Sequence, residues 1–106
     1  MKKSKKKKLE AAGWKVGSTS DFLNLTPEEE AFIELKLALA NHLKKSRQRK
    51  KLTQTQLAEF IKSSQSRVAK MESGDPSVSI DLLVRSLIAL GVSDRELAKV
   101  ITSSRY

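Results

Sequence analysis

The chain has no cysteine, so disulfides and thiolate metal sites are excluded, and the composition is compatible with an intracellular setting. One histidine, His42, stands without a Cys, a second His or a paired carboxylate at ligand spacing. With four glycines and no phosphate-cradling glycine loop, nothing marks a catalytic, cofactor-binding or metal residue, and an enzyme is disfavoured. No apolar run approaches the ~20 residues of a membrane span, and the N-terminus lacks the hydrophobic region of a signal peptide. The expectation is a soluble, cytoplasmic protein with no membrane partner. Aromatic residues are only 5% of the chain and form no platform beside the basic residues, which makes RNA the lesser nucleic-acid option. No segment alternates with period two, so an all-α fold is expected.

What is abundant is positive charge. The formal net charge is +9, but Lys2, Lys3 and Lys5 to Lys8 supply six of those units and leave the rest of the chain only mildly basic. Residues 1–20 therefore read as a flexible, disordered basic arm, since a like-charged stretch without large apolar groups cannot offset the entropy of ordering. Two readings of it stand: a solubilising tail, or an arm that neutralises DNA phosphates without regard to sequence. A second concentration, Lys44, Lys45, Arg47, Arg49, Lys50 and Lys51, is either a helix end whose cations complement the macrodipole or a set of phosphate contacts.

The stretch immediately after it, 53–74, reads as two short helices and a tight turn. Thr53 and Gln56 make a capping box, Leu57, Ala58 and Ile61 supply an apolar side, and Lys62-Ser63 form the turn. Ser64 caps the second helix, Val68, Ala69 and Met71 are its buried positions, and Gly74 is a left-handed stop. Helices this short need tertiary support. The outer face of the second one carries Gln65, Ser66, Arg67 and Lys70 with no carboxylate, a set suited to phosphates and base edges in a DNA major groove.

The segments LTQTQLA (Leu52 to Ala58), SQSRVAKME (Ser64 to Glu72) and the following SGDPSVS, in one register, resemble the helix-turn-helix domain of phage-repressor and Cro type, the XRE family; the resemblance covers roughly residues 28–91. It implies sequence-specific binding of double-stranded DNA by a transcriptional regulator, a repressor or autorepressor, acting as a homodimer. It further implies that Gln54 and the backbone at the start of its helix hold a phosphate. Ser64 and Arg67 would grip the DNA backbone, Gln65, Ser66 and Lys70 would turn to base edges, and Arg47 would pair with Glu72. One departure is Lys62, which stands where glycine is often found, so a left-handed backbone there carries strain or the turn is built differently. The GDPSVS segment and N-terminal extension also resemble HigA-like antitoxins, which implies a second class of partner, a small RelE/HigB-like toxin covered by residues 13–37.

Around this centre, Thr26, Pro27 and Glu29 open a long helix running to about Lys50, with stripes Phe32, Leu35, Leu39, Leu43 and Ile33, Leu37, Ala40. Ser79 caps a fourth helix with a buried face of Ile80, Leu83, Val84, Leu87 and Ile88, ended by Gly91. Ser93 and Glu96 open a fifth by a capping box, carrying Leu97, Val100 and Ile101 inward; this helix and the C-terminus are the first choice of dimer surface. Trp14 either covers an apolar edge or anchors a partner. The whole is a five-helix domain over 21–106 behind the basic arm.

Overall fold

A computed structural model describes residues 25–103. The expected arm, Trp14 and the Phe22-Leu23 lead-in lie outside the described residues. Five helices follow in order: α1 Pro27–Arg49, α2 Gln54–Phe60, α3 Gln65–Ser73, α4 Ile80–Ala89 and α5 Asp94–Ser103, with no strand among the described residues. A hydroxyl begins each one. Thr26, Thr53, Ser64, Ser79 and Ser93 accept from the backbone N–H three residues on, at 3.1–3.2 Å, satisfying donors that have no partner inside the helix. In α1 and α2 the capping box closes, with Glu29 and Gln56 accepting from Thr26 and Thr53 backbone N–H.

The four internal helix ends share one device. Each has a left-handed residue, at Lys51, Lys62, Gly74 and Gly91, flanked by a paired set of backbone bonds in which the left-handed residue donates three residues back and its successor five back. This is the Schellman arrangement, which returns the last carbonyls to use and turns the chain sharply. Lys62 accordingly has φ +57, so the helix-turn-helix turn is left-handed without glycine, and Lys51 repeats the same strain at the end of α1.

α1 is the spine against which α3, α4 and α5 pack, while α2 packs on α3. The core is Leu39, Ala40, Leu43, Leu57, Ala58, Val68, Met71, Val78, Leu83, Leu87, Leu90, Val92 and Val100. Three expected buried side chains are not buried. Phe32, Ile88 and Ile101 are about half exposed, at 50%, 54% and 47%. On α1 the buried line is Ile33, Lys36, Leu39, Ala40, Leu43 and Ser46, because the neighbours sit on the Ile33 side and Phe32, one residue or 100° away, is turned out. On α4 the same shift favours Leu83, Ser86 and Leu87 over Ile88.

The Ser93–Glu96 box is also modified. Glu96 N–H donates to Ser93, but the Glu96 carboxylate goes to α1, with His42 Nε2 at 2.5 Å and Arg49 Nη2 at 3.0 Å. The His42 hydrogen bond first, then Arg49, holds the Glu96 carboxyl below the usual carboxylate range. His42 thus fastens α5 to α1. Left-handed backbone at a side chain with a Cβ costs roughly 1 kcal/mol or more, part of which glycine returns as unfolded-chain entropy. Lys51→Gly should therefore raise the unfolding free energy by about 0.5–1 kcal/mol in urea titration, with an unchanged slope.

Candidate nucleic-acid interface

The site is built outward from a buried charge pair. Arg47, on the last two turns of α1, donates from Nε to Glu72 Oε2 at 2.5 Å and from Nη2 to Glu72 Oε1 at 3.0 Å, and from Nη1 to the Leu52 carbonyl at 2.7 Å. Glu72 closes α3, and the side chains of the pair are 11% and 3% exposed. Hydrogen bonding to Glu72 raises the Arg47 pKa, so the guanidinium stays charged.

Two glutamines continue this pair toward the surface. Gln54 donates from Nε2 to Glu72 Oε1 at 3.1 Å, and Gln65 donates from Nε2 to Gln54 Oε1 at 2.7 Å. Both are the first residues of their helices, which is why the turn brings them together. Gln54 is half-buried and Gln65 is exposed. The family resemblance by itself implies two separate contacts, Gln54 on a phosphate and Gln65 on a base edge. Joined, the glutamines leave the Gln65 carbonyl oxygen and a second N–H as an acceptor and a donor on an exposed amide tied to Gln54.

The remaining candidates share the exposed side of α3. Ser64, Ser66, Arg67 and Lys70 are all exposed. Ser64 Oγ accepts from Arg67 N–H and lies 3.3 Å from Ser66 Oγ, so it caps the helix as well as facing outward. The opposite side holds Val68, Met71 and Glu72 in the protein. Lys62 is exposed at the preceding turn, and Lys44, Lys45, Lys50 and Lys51 are exposed where α1 ends. The α3 N-terminus, the positive end of the helix dipole, adds a field of the same sign.

Because the Arg47–Glu72 pair is out of water, removing one partner strands the other. Glu72→Ala should lower stability by roughly 3–5 kcal/mol, unfolding the domain in urea before any change in binding preference can be read; a loss under 1 kcal/mol would mean the pair is effectively solvated.

A helix-turn-helix family model matches residues 43–103, more than half of the 106-residue chain and the whole span from the end of α1 to the end of α5. No curated protein and no solved structure gives a significant match. With a short capped helix, a left-handed turn and a second helix that offers polar and cationic side chains outward, this chain belongs to the XRE-type helix-turn-helix family of DNA-binding transcription regulators.

Proposed function

We propose that the protein is a transcriptional repressor or autorepressor that binds double-stranded DNA as a homodimer, with α3 in the major groove. The observation that carries this is the outer face of α3. Its first two turns expose Gln65, Ser66, Arg67 and Lys70 and no carboxylate, while its inner face is fixed to α1 by a buried ion pair. In this reading Ser64 and Arg67 hold phosphates, and Gln65, Ser66 and Lys70 read base edges. Gln54 steadies Gln65 and offers its backbone N–H to a phosphate.

A dimer follows from energetics. One such helix reads few base pairs, and half-sites ~34 Å apart on one face of the duplex give two linked contacts. Among the described residues the exposed large apolar side chains are Phe32, Phe60, Ile88 and Ile101, and of these Ile101 on α5 and Ile88 on α4 are the pair we assign to the contact between copies. A second reading, an antitoxin that also covers a small RelE/HigB-like toxin, is favoured by Phe32. That ring is half exposed on the first turns of α1, within the 13–37 segment, and belongs to neither the core nor the α3 face.

The test is a gel-shift titration against a set of single-base operator variants. Gln65→Ala should erase the preference at one base position in each half-site, worth ~1–3 kcal/mol. Arg67→Ala should weaken every variant alike and reduce the salt slope by about one. Equal, sequence-blind losses in both proteins would overturn the assignment of Gln65 to base reading.

A further inference from the structure

The four left-handed helix ends divide by the residue that fills them. Gly74 and Gly91, at φ +71 and +89, end α3 and α4, whereas Lys51 and Lys62, both at φ +57, border α2 on either side. Among the described residues these two lysines are the only side chains with a Cβ on left-handed backbone. Room does not decide the choice: a Cβ at Gly91 would meet nothing within 4 Å, so glycine stands there for its backbone freedom. A φ of +57 is the centre of the left-handed well, which lowers the cost for lysine without removing it. Asparagine tolerates that well better. What lysine brings that glycine and asparagine lack is a positive charge on a long stem.

Both charges are uncommitted. Lys51 and Lys62 are exposed, and neither ammonium enters a hydrogen bond or ion pair among the described residues. Their places match. Lys51 stands two residues before the Thr53 cap and three before Gln54, and Lys62 stands two residues before the Ser64 cap and three before Gln65. Three residues of chain span at most ~10 Å, so each lysine lies within about that distance of the helix start it precedes. The Gln65 to Gln54 hydrogen bond at 2.7 Å puts those two helix starts side by side. Gly74 is at the other end of α3, roughly 13 Å from Gln65 along the axis, and Gly91 ends α4, which bears none of the candidate contacts.

We propose that Lys51 and Lys62 are a pair of DNA-backbone contacts, one on each side of α2, in which the stability that glycine would give is exchanged for a cation beside the leading end of α3. This deepens the reading of α3 as the DNA-contacting helix and rests on it. The ligand class is a phosphate oxyanion, because an ammonium on a flexible stem is a point charge with rotatable donors and lacks the fixed fork that reads a base. The contribution is sequence-blind and salt-sensitive. The free protein carries the backbone cost at all times, and the compensating contact forms only on the duplex.

The experiment uses the full chain and one duplex that it binds, with anisotropy titrations at several KCl concentrations and urea unfolding in parallel. Lys51→Gly and Lys62→Gly should each raise the folding equilibrium constant about two- to fivefold. Each should nevertheless bind about fivefold more weakly at low salt, with the slope of log K against log salt reduced by about one per protomer. The two losses should add in the double variant. Lys51→Arg and Lys62→Arg keep both the charge and the backbone cost, so they should retain affinity and slope and gain no stability. A double glycine variant that binds with unchanged affinity and slope, an arginine variant as weak as its glycine counterpart, or glycine variants that are no more stable would each overturn the proposal while leaving the DNA reading in place. Absence of binding by the unaltered protein to any duplex at low salt would overturn the DNA reading beneath it.

Discussion

A single guanidinium sets the geometry of the side of the fold proposed to face DNA. Arg47 binds both carboxylate oxygens of Glu72 and the carbonyl of Leu52, so one planar group joins the end of α1, the connection into α2 and the last turn of α3. The arrangement depends on being complete. Desolvation makes each charge costly by itself, and the mutual attraction compensates only when every lone pair and N–H has a partner. Gln54 takes part in that completion, and Gln65 is held by Gln54 in turn. Rigidity therefore passes from the core to an exposed amide by four linked polar groups, and the short helix that bears it needs no intrinsic stability.

Helix ends were legible in the sequence because they are local. Five hydroxyl caps, two capping boxes and the stops at Gly74 and Gly91 depend on residues within four or five positions of each other. The outward face of α3 was legible too, since its apolar positions Val68 and Met71 turn inward as expected, with Ala69 only partly buried and Glu72 buried by its pairing with Arg47. The phase of the longer helices was not. Apolar residues on α1 are dense enough to define two overlapping stripes, and the choice between Phe32 and Ile33 is made by where α3, α4 and α5 lie. Ile88 and Ile101 turn outward for the same reason.

Polar long-range pairings were the other hidden part. His42 and Glu96 are 54 positions apart, and nothing local marks either for the other. Lys36 stands three residues after Ile33 and three before Leu39, on the buried line, yet a lysine between glutamates and leucines reads as surface. The link between Gln54 and Gln65 leaves a trace only in hindsight: each is the first residue after a cap, and a tight turn brings such positions together. Lys51 conceals a left-handed turn because the usual glycine signal is absent, whereas at Lys62 the family resemblance points to the position and the left-handed alternative holds.

Charge is distributed in keeping with this architecture. Lys44, Lys45, Lys50 and Lys51 lie exposed at the end of α1, Lys62 at the turn and Arg67 and Lys70 on α3, while Glu72 and Glu96 are occupied by cations of the fold. The most direct test of the central claim is backbone amide NMR of the full chain titrated with a short duplex at low salt. Shifts concentrated on Ser64 to Lys70 and the start of α2 are the expected result. Perturbations confined to α4 and α5, with the α3 amides unmoved, would contradict the account.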